Sequence, residues 1–323
     1  MRAARFSVLL ALLCAAVVLP GYAHAQLPRT GVRLLAPFAA GGPIDFSARV
    51  LAETMQAQTG TPVIVENRTG ANGAIAATAV KQAAPDGATL LVATSGLLTI
   101  SPHTQDSPPD LASDLVPIAA LTYVDSVLAI GSHVPAKNLK EFIELARSAR
   151  EPLALGSAGN GNVTHGLTVL LSDVAKVKLL NVPYRGIAAA LVDVLGGQIA
   201  GTWPAFNLAL PHMKTGKVTA LGVVGNKRSE LAPEIQTLTE QGYPGVDFLT
   251  WTAIMGPRNM SPEVTAALRG AINRALTSED ARAKLAAVGI TSWLISPEEF
   301  GRTVQDESER WRKLIKERNI FGG

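Results

Sequence analysis

Apolar runs alternate along the chain with segments in which apolar residues recur every three or four positions. The runs are rich in leucine and β-branched residues and predict β-strands. Segments such as NLKEFIELARSAR and SPEVTAALRGAINRAL predict amphipathic helices. Continuous apolar strands separated by helices are typical of parallel sheets covered on both faces. The pattern therefore predicts an α/β fold.

Two apolar stretches, residues 116–131 and 248–257, are longer than an average strand of about five or six residues. This length predicts strands that leave one sheet and enter another. A Pro/Ser/Asp-rich loop over residues 101–115 is too long for a simple connection. We expect two lobes joined by two crossover strands, with residues 26–125 and 250–323 in lobe one and residues 126–249 in lobe two.

The first 25 residues have the pattern of a secretory signal peptide. Two arginines precede an unbroken apolar run. The segment ends in an A-x-A pattern formed by Ala23 and Ala25, so cleavage is expected near Ala25. Retention as a membrane anchor is the alternative, although the apolar run is short for a span. The single cysteine, Cys14, lies in this segment. The exported chain then contains no disulfide and no thiolate site.

The net charge of the exported chain adds little to the predicted fold and function. The 29 basic residues, less Arg2 and Arg5 of the signal peptide, leave 27 against 26 acidic residues, a formal charge of +1. The chain also has no basic block, so nucleic acid is not an expected partner.

Two strand-to-helix turns have the features of an anion site. In APFAAGGPIDFSARVLAE, residues 36–53, two glycines and a proline separate an apolar run from a helical pattern. In LGSAGNGNVTHGLTVLL, residues 155–171, small residues occupy the same place in the other lobe. Glycines permit close backbone approach, and first-turn amides with the helix dipole attract a carboxylate. The turns predict a clamp for a small anion; plain tight turns, with Asp45 as an N-cap, are the alternative.

The sequence motifs that are typical of nucleotide-binding, serine-hydrolase and catalytic metal sites are incomplete in this chain. Neither turn contains the P-loop pattern, and Thr164 stands where a dinucleotide-binding fingerprint needs its third glycine. Ser157 lies in G-S-A-G rather than G-x-S-x-G, and the chain has no H-E-x-x-H. A serine hydrolase and a catalytic metal site are therefore unsupported.

Over its whole length the chain resembles the Bug or TctC-like extracytoplasmic solute receptors of tripartite tricarboxylate transport systems. The matching stretches include APFAAGGPIDFSARVLAE, GSAGNGNVTHG, NVPYRGIAAALVDVLGGQI and PEEFGRTVQDESERWRKLIK, in this order. The resemblance implies a two-lobed Venus-flytrap, type II-like periplasmic-binding-protein fold, located in the periplasm. It implies a small carboxylate ligand that is delivered to membrane permease subunits. We expect a monomer with no cofactor, no metal and no catalytic residues.

In that family the two turns hold the carboxylate of the ligand through backbone amides and ordered water. Asp45 then either caps its helix or meets a cationic part of the ligand, since a carboxylate repels an anion. His165 either donates to the ligand or is satisfied by the backbone of its own loop. The resemblance assigns ligand contact to Ala39, Gly41, Gly42, Pro43, Ile44 and Asp45 in lobe one and to Ser157, Gly159, Gly161 and His165 in lobe two.

Four further residues at strand ends are candidates for the site. Thr94 and Ser95 either offer hydroxyls to the cleft or cap the next segment. Tyr184 and Arg185 end another strand of lobe two. Arg185 either pairs with an anion or lies on the solvated surface.

One stretch departs from the family pattern. After GGQI the family usually has an acidic, aromatic-containing stretch similar to D-x-M-F-D, whereas this chain has AGTWPAFNLALP. This chain therefore has the bulky residues Trp203, Pro204 and Phe206 where the family usually has an acidic residue. Because the resemblance implies that this segment lines the ligand chamber, an aromatic or less polar carboxylate is expected. The alternative is that Trp203 packs inside the core of its own lobe.

The sequence is compatible with three functions. The leading hypothesis is a solute receptor without enzymatic activity. The second is a secreted α/β enzyme, hydrolase-like, that uses Ser157 and His165. The third is a periplasmic sensor module that presents its ligand-bound form to a signalling partner.

Overall fold

The computed structural model describes residues 27–28, 30–104 and 114–318. The predicted signal peptide lies outside the described residues, and so does most of the predicted Pro/Ser/Asp-rich loop, residues 105–113. No helix among the described residues has the length and apolar character needed to cross a membrane.

The described elements alternate between strand and helix, as the apolar pattern predicts. In chain order the strands are β1 (Val32–Ala36), β2 (Val63–Asn67), β3 (Thr89–Thr94), β4 (Leu115–Val124), β5 (Val127–Gly131), β6 (Leu153–Ser157), β7 (Leu179–Pro183), β8 (Gly201–Thr202), β9 (Val218–Val223), β10 (Thr250–Pro257) and β11 (Ile290–Ser292). The helices are α1 (Pro43–Thr59), α2 (Ala74–Lys81), α3 (Leu139–Ser148), α4 (Val163–Ala175), α5 (Ile187–Leu195), α6 (Phe206–Lys214), α7 (Pro262–Thr277), α8 (Glu279–Ala286) and α9 (Pro297–Arg318). A π-helical segment, Gly96–Ile100, follows β3.

The strands form two sheets, and each sheet with its helices makes one lobe. Lobe one contains a six-stranded sheet in the order β11-β4-β10-β3-β1-β2, and lobe two a five-stranded sheet in the order β7-β6-β8-β5-β9. This is the two-lobed α/β fold that the sequence predicts.

The sheets are mixed rather than parallel throughout. β1 runs parallel to β2 and β3, and β6 runs parallel to β7 and β8. β10 runs antiparallel to both β3 and β4, and β5 runs antiparallel to β8 and β9. The reason is topological: β4 leaves lobe one towards lobe two, and β10 returns from it. Two neighbouring strands that carry the chain in opposite directions between the lobes must pair antiparallel.

The first long apolar stretch is shared between the two sheets. β4 ends at Val124 and β5 begins at Val127, so Asp125 and Ser126 form the crossing. The second stretch behaves differently, because β10 lies wholly in the six-stranded sheet and the chain reaches it through the segment 224–249. Sheet membership therefore changes at residues 125–126 and again between Val223 and Thr250.

Helix α1 shows how the local pattern builds the lobe-one side of the cleft. Pro43 occupies its first turn, where a missing amide hydrogen costs nothing. Gly60 ends it with φ +68°, a left-handed conformation that glycine adopts without a Cβ clash. The apolar residues predicted at helical spacing, Ile44, Ala48, Leu51 and Met55, are all buried against the six-stranded sheet.

The C-terminal helix α9 joins the two lobes. Near its start, Phe300 meets Trp251 of β10 edge-on at 5.5 Å in the core of lobe one. Near its end, Trp311 is fully buried in the core of lobe two, where it stacks on Phe248 at 3.9 Å. Between them Glu307 accepts hydrogen bonds from Trp251 and Thr99. The segment that the sequence places in lobe one thus packs into both cores.

Candidate ligand-binding site

A pocket with a volume of about 100 Å³ lies between the two lobes. Its wall is mostly apolar, with six polar side chains: Asp45, Ser126, Asn162, Thr164, Arg185 and Thr250. The apolar, glycine and proline positions of the wall are Phe38, Ala39, Gly42, Pro43, Ile44, Val124, Ala158, Gly186, Ile187, Ala188, Ala189, Trp203 and Ala205. A cavity of this size holds several water molecules and therefore has room for a small organic acid.

The lobe-one wall is the N-terminus of α1. Gly42 is its N-cap, with φ −83° and no side-chain cap, so the first-turn amides that follow Pro43 keep their hydrogens for another acceptor. Gly41 adopts a left-handed conformation, with φ +86°, which favours glycine at this position. Gly42 is not left-handed, and a Cβ added to it would meet no atom closer than 3.8 Å. Of the six predicted contacts in this turn, Ala39, Gly42, Pro43, Ile44 and Asp45 line the pocket and Gly41 does not.

Asp45 holds the turn together from inside the helix. It is the third residue of α1 rather than its N-cap, which corrects the position expected from the sequence. Its carboxylate is 4% exposed and accepts from the Gly41 amide at 3.0 Å, from Asn67 at 2.9 Å and from Arg49 at 2.9 Å. Burial raises the pKa of Asp45, but the hydrogen bonds from Arg49, Gly41 and Asn67 outweigh it and hold the pKa below 3.8. The charge of Asp45 is thus compensated within the protein.

The lobe-two turn uses its own side chains to satisfy its amides. The Ala158 amide donates to Thr164 Oγ1 at 2.9 Å, and the Thr164 amide donates to Asn162 Oδ1 at 3.0 Å. The Gly161 amide donates to His165 Nδ1 at 3.3 Å. Sequence reasoning expected these amides to face a ligand. The structure instead bonds three of them inside the turn.

The four lobe-two residues assigned from the resemblance, Ser157, Gly159, Gly161 and His165, are absent from the pocket lining. Ser157 is fully buried, and its hydroxyl donates to the Gly159 carbonyl at 3.4 Å. Burial lowers the pKa of His165 to about 4, so its ring is neutral at pH 7 and Nδ1 serves as an acceptor for the loop backbone. This geometry matches the alternative in which His165 is satisfied by its own loop.

A third helix N-terminus, that of α5, completes the pocket and was not identified as part of the site from the sequence. Gly186 is its N-cap, with φ +143° and no side-chain cap, and Ile187, Ala188 and Ala189 follow in the first turn. All four line the pocket. The signal was available in NVPYRGIAAAL, which repeats the strand, glycine and helix pattern of the two recognised turns.

Arg185 stands at the mouth of the pocket directly before this helix. It is exposed, and among the described residues that line the pocket it has the one basic side chain. Within the described part of the chain, Arg185 forms no ion pair. Its neighbour Tyr184 does not line the pocket. Burial and the nearby Asp193 carboxylate, to which Tyr184 donates at 2.7 Å, raise the pKa of Tyr184 to about 12.

Thr94 and Ser95 lie away from the pocket, inside lobe one. Thr94 Oγ1 accepts from the Leu97 amide at 3.4 Å, which matches the capping alternative. Ser95 Oγ accepts from the Trp251 amide at 3.4 Å. Both side chains end an interior strand, so neighbouring backbone rather than a ligand satisfies them.

Trp203 belongs both to the pocket wall and to the lobe-two core. It is 1% exposed, it packs in the core cluster of lobe two, and it lines the pocket. Its Nε1–H donates to Thr168 at 2.8 Å. The indole therefore presents apolar surface to the cavity while its polar atom is already paired.

Two hydroxyls beside the lobe crossings were missed by the sequence reasoning. Ser126 lies between β4 and β5, and Thr250 begins β10. Both line the pocket, and Ser126 is only 4% exposed. Neither hydroxyl has a hydrogen-bond partner among the described residues, so both remain available to a ligand.

Asn72 of lobe one clasps the lobe-two turn. Its Nδ2 donates to the Gly161 carbonyl at 2.9 Å, and its Oδ1 accepts from Asn162 at 3.2 Å. We call this pair of hydrogen bonds the Asn72 clasp. Asn72 adopts φ 49° and ψ 32°, a left-handed conformation that few residues other than glycine adopt.

The described residues contain no cluster of three or more histidine, cysteine, aspartate or glutamate side chains placed to hold a metal ion. The polar groups at the pocket wall are the helix N-termini and the side chains of Asp45, Ser126, Asn162, Thr164, Arg185 and Thr250.

The chain matches the family model described as "Tripartite tricarboxylate transporter family receptor", TctC, over residues 47–320. It is 32% identical to Protein BugT of Bordetella pertussis over 292 residues, which cover 90% of each chain. MatC of Rhodopseudomonas palustris, solved with bound malate, is similar with a TM-score of 0.83 and 32% identity over 90% of this chain and 100% of that one. An R. palustris protein solved with adipate has a TM-score of 0.85 and 28% identity, covering 90% of this chain and 97% of that one. The chain therefore belongs to the TctC family of solute receptors.

Proposed function

We propose that this protein is a periplasmic receptor that binds one small organic carboxylate between its lobes. It delivers this ligand to the membrane permease subunits of a tripartite tricarboxylate-type transporter. It acts as a binding protein and not as an enzyme.

The observation that carries the proposal is the meeting of two uncapped helix N-termini, α1 from lobe one and α5 from lobe two, at one pocket beside Arg185. Unsatisfied first-turn amides and the positive end of each helix dipole favour an anion. A guanidinium adds a bidentate partner that suits a carboxylate. The malate of MatC and the adipate of the other R. palustris protein support the same ligand chemistry for this relative.

The hydrolase alternative finds little support at Ser157. Its hydroxyl is fully buried and donates to a backbone carbonyl, whereas a nucleophile needs a base within hydrogen-bond reach. Incubation of the protein with esters and amides of the candidate acids, followed by NMR, should return each compound unhydrolysed.

Isothermal titration calorimetry with malate, adipate, hexanoate and benzoate tests the binding step. We expect at least one of these acids to bind at a single site. Arg185→Ala should weaken that binding by about 1.5–3 kcal/mol, the value of a hydrogen bond to a charged group. Arg150→Ala is the matched control, because Arg150 is an exposed arginine of the same lobe outside the pocket.

A panel in which sugars or cations bind and none of the four acids does would refute the carboxylate receptor. Delivery is tested separately, by uptake of the labelled acid into cells that lack this protein. Normal uptake in those cells would contradict the transport role while leaving the binding result intact.

A further inference from the structure

Hydrogen-bond donors are distributed unevenly around the pocket. The uncapped N-termini of α1 and α5, which line the pocket from the two lobes, and the Arg185 guanidinium supply most of its donors. The turn before α4 supplies few, because the amides of Ala158, Gly161 and Thr164 are already bonded inside it. A carboxylate therefore finds charge-compensating partners at the α1 and α5 termini and not at the α4 turn.

The rest of the wall is apolar. Phe38, Val124, Trp203 and Ala205 line it, and the one polar atom of Trp203 is already paired with Thr168. An ionised group placed against such a wall loses its water without gaining a partner, which is strongly unfavourable. An alkyl or aromatic group gains from the same contact.

The remaining free polar groups are neutral. Ser126, 4% exposed, and Thr250 each present a hydroxyl with no partner among the described residues. A hydroxyl can bond to a hydroxyl or carbonyl of a ligand. Two of them do not supply the charge that a second carboxylate needs on leaving water.

We propose that the pocket selects monocarboxylates with an apolar body, aliphatic or aromatic, over dicarboxylates of the same length. This inference rests on the proposed function, because it assumes that a carboxylate occupies the pocket. It separates this protein from its malate-bound and adipate-bound relatives. The cavity of about 100 Å³ suits an acid the size of hexanoate or benzoate.

Hexanoate and adipate form a matched pair, since they share a six-carbon chain and differ in one terminal carboxylate. Titration calorimetry at neutral pH should show that hexanoate binds at least about tenfold more tightly than adipate, because the second charge has no partner. Equal or tighter binding of adipate would overturn the inference. That result would leave the carboxylate receptor standing, whereas binding by none of the four acids of the panel would remove both proposals.

A variant tests the stated cause of the selectivity. Thr164→Val is nearly isosteric and removes the hydroxyl that accepts the Ala158 amide, so this amide loses its partner at the pocket wall and can donate to a ligand carboxylate. The preference for hexanoate over adipate should narrow by at least about threefold. Trp203→Phe is a second variant, which keeps an apolar wall but removes part of its contact area. It should weaken the binding of hexanoate and benzoate more than the binding of malate. An unchanged preference in both folded variants would contradict the inference.

Discussion

Removal of the Asn72 clasp should open the receptor and weaken its ligand binding. The clasp is the pair of hydrogen bonds from Asn72 of lobe one to Gly161 and Asn162 of lobe two, at 2.9 and 3.2 Å. Asn72→Gly removes both bonds. Glycine accepts the φ of 49° without strain, so the local backbone should keep its conformation.

The magnitude follows from the two bonds. Each neutral hydrogen bond contributes about 0.5–1.5 kcal/mol net, so the clasp favours the joined lobes by about 1–3 kcal/mol. A ligand held between the lobes depends on the joined state, and a coupling of this size corresponds to about 5- to 150-fold in affinity.

Calorimetry with the tightest-binding acid of the panel measures the affinity, and small-angle scattering without and with that acid measures the radius of gyration. Ser101→Ala is the control, because it removes the partner of Asn72 within lobe one, at 3.2 Å, and leaves the clasp intact. We expect a larger ligand-free radius and weaker binding for Asn72→Gly alone. If Asn72→Gly binds and scatters as the wild type does, the clasp does not couple the lobes.

Two further predictions concern stability. Trp311→Ala should lower the free energy of unfolding by about 3–5 kcal/mol, because it empties a fully buried site that stacks on Phe248; a loss below about 1 kcal/mol in urea unfolding would show that α9 does not anchor lobe two. Burial lowers the pKa of His165 from 6.5 to about 4, so between these values the unfolded chain binds a proton that the folded protein does not. Stability should therefore fall as the pH drops from 6.5 to 4, and urea unfolding of His165→Gln should show a flatter dependence in this window; identical profiles would contradict the assignment.

Local patterns along the chain were sufficient for much of the fold. The spacing of Ile44, Ala48, Leu51 and Met55 predicts the buried face of α1, because helical geometry places residues three and four apart on one side. The apolar stretch 116–131 predicts a segment shared by two sheets, because so long a run exceeds one strand. The resemblance in several ordered blocks predicts the TctC family, which the family match confirms.

Local sequence patterns did not predict which polar groups are free to bind a ligand. Ser95 is satisfied by Trp251, which lies 156 positions away, and Asn72 reaches Asn162 at a separation of 90 positions. A turn sequence specifies where amides and hydroxyls occur, but their free hydrogen-bonding capacity depends on the groups that distant segments pack against them. Ser95 lies outside the pocket wall with such a distant partner, whereas Thr94, Ser157 and His165 lie outside it with partners only two to four positions away. The turn at 185–189, Ser126 and Thr250 belong to the wall. The pocket and its apolar wall form only when the two lobes bring the N-termini of α1, α4 and α5 together, and the proposed carboxylate contacts depend on the uncapped ends of α1 and α5.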